Sequence, residues 1–422
     1  MTTSAKTGAE PRGPAERMLG AVYDGASGAF ALLARPLALL GGPRWRQKLG
    51  LYAARGDRPR CWIHACSVGE VRVALRCMEA LRRASPGLCF TLSTVTPEGL
   101  AAARSGVLDP RDEAVLFPLD ARSAMRRAFD RLAPDFVILT EAELWPNHLQ
   151  EAATRRVPVF VINGRLTAAD ERNYRKAGRF MRRAFAIPEL VCARGPVEAE
   201  RFRNLGARDI VVTGDLKYET VLPADGATGT RCGNVLLGAS THAGEEKILL
   251  RAMKHLRGAH PGLRLVLVPR HPRRADLVAR LAEREGFRAG LASRGEQDRE
   301  VLVVDGIGQL PEWYARATVC FVGKSLIGGG GQNFLEAAAA GCPVVTGRHL
   351  ENFAEAADLF LAARAMAQVR DGTELAETLR HLLRDPKERQ RMATAARGIL
   401  QKNSGAAQRN AALILGRLKS GV

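Results

Sequence analysis

The chain reads as an α/β protein made of two doubly wound, Rossmann-like domains that face one another across a cleft. Two observations predict this. From residue 60 onward, apolar runs of strand length alternate with helical stretches, as in parallel sheets covered by helices on both faces. A polar Pro/Gly stretch, Leu222-Pro-Ala-Asp-Gly-Ala-Thr-Gly229, then divides the alternation into two halves. A length of 422 residues gives each half enough chain for its own core.

Residues 1–17 are rich in Pro, Gly and charge and are expected to form a disordered tail. Residues 18–48 follow as an apolar segment. Asp24, Arg35, Pro36 and several glycines interrupt it, so a membrane-spanning helix is not expected. With Arg44, Arg46 and Lys48 behind it, the segment fits two descriptions: an amphipathic stretch lying on an anionic membrane surface, or a helix packed on the protein itself. Residues 49–222 form the expected N-terminal domain, with strands at 61–66, 89–94, 114–117, 135–140, 157–162 and 189–193. Residues 230–422 form the C-terminal domain, with strands at 234–238, 264–269, 300–304, 318–322 and 342–346. A helical stretch near 386–418 is a candidate to cross back to the first domain. Residues 170–185 read as one basic amphipathic helix, whose default is a solvated face.

The net charge of +19 and pI near 10.2 call for acidic partners: nucleic acid, anionic lipid or a phosphorylated substrate. The aromatic interleaving of a nucleic-acid surface is missing, so no nucleic-acid partner is expected. The eight cysteines form no Cys-x-x-Cys pair, which predicts free thiols, with neither a zinc site nor a disulfide framework.

In doubly wound domains ligands gather at the carboxyl ends of the strands, and the polar residues cluster there. The first strand runs into Trp62-Ile-His-Ala-Cys-Ser-Val-Gly-Glu70. Ser67 and Glu70 have the spacing of a helix-capping box, while Gly69 inside the first turn allows close approach of a ligand. Glu70 also stands where a general base belongs. Thr140-Glu-Ala-Glu-Leu-Trp-Pro-Asn147 brings Glu141 and Glu143 to the same edge; Thr140 and Glu143 fit a second capping box, and Glu141 does not. Two carboxylates there need a substrate, a cation or a basic side chain. In the second half, Ser240 or Thr241 can cap a helix or meet phosphate. Arg270, between Pro269 and His271-Pro272, reads as a fixed guanidinium fork. Gly328-Gly-Gly-Gly-Gln-Asn-Phe-Leu-Glu336 is a glycine loop between a strand and a short helix, an arrangement that lets backbone N–H groups approach an oxyanion. It lacks the Gly-Lys-Ser/Thr of a P-loop and a dinucleotide fingerprint. Asn333 and Glu336 again have capping-box spacing.

Taken together, these motifs resemble the 3-deoxy-D-manno-oct-2-ulosonic acid (Kdo) transferase family over about residues 30–415. The resemblance is carried by His64-Ala-Cys-Ser-Val-Gly-Glu70, Thr94-Val-Thr-Pro-Glu-Gly99, Phe117-Pro-Leu-Asp120, Glu141-Ala-Glu-Leu-Trp-Pro-Asn147, Asn163-Gly-Arg-Leu166 and Thr213-Gly-Asp-Leu-Lys217. It continues in Ala239-Ser-Thr-His242, Val268-Pro-Arg-His-Pro272, Phe321-Val-Gly323 and Gly330-Gly-Gln-Asn333 with Glu336. It implies an inverting glycosyltransferase of GT-B architecture at the cytoplasmic face of the inner membrane, moving Kdo from CMP-Kdo to the phosphorylated lipid A precursor in lipopolysaccharide biosynthesis. It implies no cofactor and no metal.

By the same resemblance Glu70 is the general base, with Glu141 and Glu143 beside it on the acceptor side and Ser67 and Gly69 in the same motif. Arg270 meets the CMP phosphate or the Kdo carboxylate. The backbone of Gly306, Ile307 and Gly308 approaches the cytidine. Ser325, Gly330, Gly331, Gln332 and Asn333 hold phosphate, and Glu336 the ribose; Lys217, Ser240 and Thr241 are further donor-side candidates. The chain departs from the family at Gln332, where His is common, at Phe334 and Ala337, where Pro is common, and at Lys324, which replaces a usual glycine. Two alternatives stand beside this reading: another GT-B enzyme using a UDP- or CMP-sugar, and a basic membrane-surface binding protein without catalysis.

Overall fold

A computed structural model describes residues 14–33, 36, 42–53, 59–107, 109–221 and 234–420. Residues 1–13, most of the 34–41 stretch, the Pro/Gly linker at 222–229 and Cys232 lie outside the described residues. The chain divides into two compact units, residues 1–220 with 404–422, and residues 221–403.

The first unit contains seven strands: β1 (Arg60–His64), β2 (Cys89–Thr94), β3 (Glu113–Leu116), β4 (Phe136–Thr140), β5 (Val159–Gly164), β6 (Leu190–Ala193) and β7 (Ile210–Val212). All pair in parallel, in the order β3-β2-β1-β4-β5-β6-β7. The strands are nearly continuous apolar runs because helices cover both faces. Successive side chains go to opposite faces: Cys61 and Ile63 join one core with Phe136 and Ile138, while Trp62 joins another with Val137 and Leu139.

The second unit repeats the plan with β8 (Val235–Thr241), β9 (Arg264–Pro269), β10 (Ala289–Leu291), β11 (Val301–Val303), β12 (Val319–Val322), β13 (Val344–Thr346) and β14 (Met366–Gln368), ordered β10-β11-β9-β8-β12-β13-β14. In each sheet the connections reverse direction at one place, between β1 and β4 and between β8 and β12. The crevice beyond the strand ends at such a switch point is where ligands bind in open parallel sheets.

Three strands have no counterpart in the sequence reading: β7, β10 and β14. Each is three residues long and lies at a sheet edge or next to the shortest partner strands, so none carries the long apolar run by which the central strands announce themselves. The basic stretch 170–185 is two helices, Ala168–Lys176 and Gly178–Phe185, rather than one; Gly178 at φ 57° breaks them. Residues 14–17, expected within the disordered tail, open a helix, Pro14–Leu33.

That helix is anchored to the first unit. Tyr23 donates to Asp120 (2.7 Å), Asp24 pairs with Arg122, and Tyr23 lies 6.0 Å from the Phe180 ring. Met18, Val22, Phe30, Leu32 and Leu33 remain exposed on it. No described helix is long and apolar enough to cross a membrane.

The last helix, Ala406–Ser420, belongs to the first unit. Ala406, Ala407, Ala411 and Ile414 pack into the core beneath the helix Val68–Ala84. Small residues on this face let the two helices approach closely. Arg409 donates to the Thr213 carbonyl (2.8 Å), and buried Asn410 accepts from the Thr213 hydroxyl (3.3 Å).

Candidate functional site

In the first unit the β1/β4 switch point gathers the carboxylates. Glu70 sits in the first turn of the helix Val68–Ala84 and is 8% exposed. Its Oε2 accepts from the Cys66 backbone N–H (2.9 Å) and the Thr140 hydroxyl (2.8 Å), and its Oε1 from the Ser67 hydroxyl (2.9 Å). Ser67 is the N-cap, accepting from the Glu70 N–H (3.3 Å). Half of the expected capping box is therefore present; the reciprocal bond goes to the N–H of residue 66, and Thr140 adds a donor from the next strand. Three donors hold the carboxylate at one position, as a preorganised base requires. A Cβ at Gly69 would meet only the Ser67 hydroxyl, at 3.8 Å, so packing does not dictate glycine there and the space is open to a ligand.

Thr140 and Glu143 do not cap a helix, contrary to their spacing. The following helix starts at Pro146, and the Thr140 hydroxyl is committed to Glu70 and to the His64 carbonyl (2.9 Å). Glu143 instead accepts from the Cys66 thiol (2.8 Å). Burial, followed by the neighbouring Glu70 and Glu141 charges, raises its carboxyl above the usual range, and burial together with Glu143 pushes the Cys66 thiol up. Glu141 adopts a left-handed backbone (φ 52°) and is ion-paired with Lys217 (3.1 Å) and Arg165 (3.7 Å). Lys217 thus stands in the first unit beside Glu141.

The motifs that carry the resemblance assign no role to Asp120, Asn163, His64 or Cys66. Asp120 accepts from the Asn147 and His148 N–H groups (3.0 and 2.9 Å), capping the helix after Glu143. Asn163 accepts from Leu216 N–H (2.9 Å), fixing the loop that carries Lys217. Cross-strand partners of this kind leave no local sequence signal.

In the second unit the β8/β12 switch point is organised by Glu245, 1% exposed in the first turn of the helix Glu245–Leu256, a residue that no motif of the sequence singles out. Its carboxylate accepts from the N–H groups of His242 (2.9 Å), Lys324 (2.8 Å), Ser325 (3.1 Å) and Leu326 (3.1 Å). These ties correct several expectations. Ser325 is fully buried; its N–H is taken by Glu245 and its hydroxyl by Val322 O and Gly347 N–H, so it shapes the loop rather than presenting to phosphate. Thr241 is fully buried and donates to Glu246 (3.0 Å), which also pairs with Arg274 (2.8 Å). Neither Ser240 nor Thr241 caps the helix Glu245–Leu256, whose N-cap is Gly244.

The glycine loop is likewise closed on itself. The N–H groups of Gly330, Gly331 and Gln332 go to Glu351 (2.6 Å), Lys324 O (2.9 Å) and Gly323 O (3.2 Å). A Cβ at Gly330 would strike Asn352 at 2.6 Å, and one at Gly331 Leu350 at 2.8 Å, with φ of 107° and 68°. These glycines serve the loop's own packing, because buried amides must find partners. Asn333 caps Leu335 N–H (3.2 Å) and donates to Glu336 (3.2 Å), without the full capping box. Phe334 and Ala337 are fully buried, Phe334 against Phe353 and Phe360.

What this edge leaves accessible is a small set of side chains. Arg270 is exposed, its N–H anchored on Thr241 O (3.0 Å). His242 and His271 lie 5.8 Å apart, and the Gln332 amide is 3.2 Å from His242 Nε2. In the Gly306-Ile307-Gly308 turn Ile307 is 91% exposed, an apolar surface at a strand's carboxyl end. Ser240 and Lys324 are left-handed (φ 50° and 56°), like Glu141 and Asn163 in the first unit. Four of the seven described non-glycine residues with this conformation thus end central strands, where strain marks functional edges. The φ of Lys324 lies in the region that glycine adopts freely and other residues rarely do.

Two parallel-sheet α/β units with polar switch points are the fold found in the GT-B class of glycosyltransferases. A crystal structure of UDP-GlcNAc 2-epimerase from Neisseria meningitidis shares the fold, with a TM-score of 0.59 at 13% identity over 86% of this chain and 100% of that one. Residues 271–415 match a glycosyl transferase-like family. Residues 43–220 match the 3-deoxy-D-manno-octulosonic-acid transferase family. The 3-deoxy-D-manno-octulosonic acid transferase of Haemophilus influenzae is 31% identical over 87% of this chain and 90% of its own, and that of Bordetella pertussis 33% over 86% and 89%. The chain belongs to the 3-deoxy-D-manno-octulosonic acid (Kdo) transferase family.

Proposed function

We propose that the protein transfers Kdo from CMP-Kdo to the lipid A precursor in lipopolysaccharide synthesis, with inversion at the anomeric carbon. The observation that carries the mechanism is the Glu70 carboxylate, held by Ser67, Thr140 and the Cys66 N–H at the β1/β4 switch point. In this reading Glu70 takes the proton of the acceptor hydroxyl as its oxygen attacks the Kdo anomeric carbon and CMP leaves. Lys217 and Arg165, already paired with Glu141, supply positive charge for the acceptor phosphate. In the second unit Arg270 meets the departing phosphate or the Kdo carboxylate, Ile307 faces the cytidine, and Asn333 and Glu336 bind the nucleotide.

The acceptor reading has support in an open groove of about 750 Å³ in the first unit, lined by Val22, Tyr23, Leu144, Trp145, Phe180 and Glu143 among others. An apolar wall ending at a carboxylate suits a lipid with a polar reacting end. The exposed apolar residues of the helix Pro14–Leu33, with the +19 net charge, suit an anionic membrane surface, and we place the protein on the cytoplasmic face of the inner membrane.

The test is Glu70→Gln assayed with CMP-Kdo and a tetraacylated disaccharide acceptor, with product mass as readout. Transfer should fall by about 10²–10⁴-fold with the melting temperature little changed. Near-wild-type turnover would remove Glu70 from the mechanism.

A further inference from the structure

His64 and Cys66, whose side chains the transfer reading leaves without a chemical task, converge with Glu143 on one point of the first unit. His64 ends β1, Cys66 lies two residues on, and Glu143 follows β4; a ligating atom from each lies within 4.8 Å of the others. We propose that His64, Cys66 and Glu143 form a binding site for a soft divalent cation of the zinc class, through imidazole Nε2, thiolate Sγ and one carboxylate oxygen.

The geometry supports this in three ways. Zinc bonds of about 2.3 Å to sulfur and about 2.0 Å to nitrogen or oxygen place the donors of a tetrahedral site about 3.5 Å apart. His64 Nε2 and Cys66 Sγ are 3.6 Å apart, so this pair is already at ligating separation. Glu143 Oε2 is closer to the sulfur, 2.8 Å, because it holds the thiol proton. On binding, that proton passes to solvent and the carboxylate recedes by about 0.7 Å, the difference between the hydrogen-bonded and ligating separations.

Second, His64 is oriented from behind. Its Nδ1 lies 3.0 Å from the Ser93 hydroxyl and 3.2 Å from the Ser93 carbonyl; in the tautomer that donates from Nδ1 to the carbonyl, Nε2 keeps its lone pair toward Cys66. A metal-ligating histidine has this support from its other nitrogen. The ring is also stacked on Phe117 at 3.8 Å, which fixes its plane.

Third, the site has an entrance. His64 is buried, but Cys66 and Glu143 are only partly so, and Glu143 lines the open groove of the first unit. Among the seven described cysteines Cys66 alone is not buried. Three protein ligands leave one tetrahedral position for water. The cysteine spacing predicts no zinc framework, and none of Cys-x-x-Cys type exists; this set is assembled by two strands and has no linear signature.

Full-length protein stripped of metal should be titrated with Co²⁺ and then Zn²⁺. One equivalent of Co²⁺ should bind with a thiolate-to-cobalt charge-transfer band, and Zn²⁺ should displace it. Cys66→Ser should abolish the band, and Glu143→Gln, which removes a direct ligand, should weaken binding by at least the roughly 10–100-fold that loss of an outer partner costs. X-ray absorption of the zinc-loaded wild-type chain should show one sulfur at about 2.3 Å with nitrogen and oxygen at about 2.0 Å. A band that persists in Cys66→Ser, or a zinc shell without sulfur, would overturn the site. These readouts do not involve catalysis, so their failure leaves the transfer reading intact.

Discussion

Two groups near the carboxylate cluster, half-buried Glu143 and buried His148, make the first unit sensitive to pH in opposite senses. Glu143 has its carboxyl raised, chiefly by burial, so the folded state favours the protonated form. Its contribution is full below the ordinary carboxylate pKa and is lost as pH rises through the folded value. Glu143→Gln should therefore raise the melting temperature more at about pH 7.5 than at about pH 4, by thermal unfolding monitored with circular dichroism. His148 behaves inversely. It is buried against Trp62 (4.5 Å) and Phe117 (5.3 Å), and burial pushes its imidazole down to about 3. The unfolded chain binds a proton that the folded one refuses, so stability falls as pH drops from about 6.5 toward 3, by about 1.4 kcal/mol per pH unit within that window. His148→Phe, which keeps an aromatic ring in this pocket, should flatten the acid limb of the stability profile. An unchanged slope between wild type and variant would show that other groups, such as buried His64, carry it.

These residues also show where local reading stops. Ser67 as a cap and Glu70 as a held carboxylate were legible because cap and helix are neighbours in sequence. Thr140 as a donor to Glu70, Asp120 as the cap of a helix 26 residues on, counted from Asp120 to Pro146, and Glu245 as the organiser of the loop after β12 were not. Each bond joins residues carried by different strand-to-helix junctions, and the neighbourhood that creates it is a property of strand order.

At the level of elements, the C-terminal helix Ala406–Ser420 carries a checkable energetic claim. Ile414 is fully buried in the core shared with the helix Val68–Ala84, whose first turn holds Glu70. Ile414→Ala should destabilise the first unit by about 2–5 kcal/mol through lost burial and the cavity left behind. Hydrogen exchange would locate the effect: amides of β1 and β2 should exchange faster, while those of β8 and β9 keep their protection. Equal loss in both units would show that they unfold as one. The central strands were legible as apolar runs because both their faces are covered. The edge strands β7, β10 and β14 were not, being too short to carry periodicity. The glycine loop misled in a more specific way. Its glycines suggested an anion cradle, yet Gly330 and Gly331 are required by Asn352, Leu350 and the positive φ, with their amides spent inside the protein.

For the whole molecule the decisive variable is which nucleotide stabilises it. CMP at about 100 times its Kd should add about 2.7 kcal/mol to stability, and UDP should add little. Arg270→Ala should abolish most of the CMP effect; stabilisation by UDP alone would favour a UDP-sugar enzyme. Binding to anionic vesicles, followed by flotation with and without residues 1–42, tests the membrane reading. Undiminished binding after deletion would clear the helix Pro14–Leu33 of that role and leave the basic surface as the attraction.

The sequence by itself determined the class of fold and the family, because apolar runs, strand-to-helix junctions and short motifs are local and survive reading in one dimension. It also placed the polar residues at strand ends, since the alternation that defines a strand also defines its end. Only the tertiary structure decided which of them share a crevice and which are spent within the protein: Glu70 with Thr140 and Cys66, Glu141 with Lys217, Ser325 and Thr241 committed inside. The physical reason is that a parallel sheet brings together strands distant in the chain, and buried polar groups then take whichever partner that order supplies.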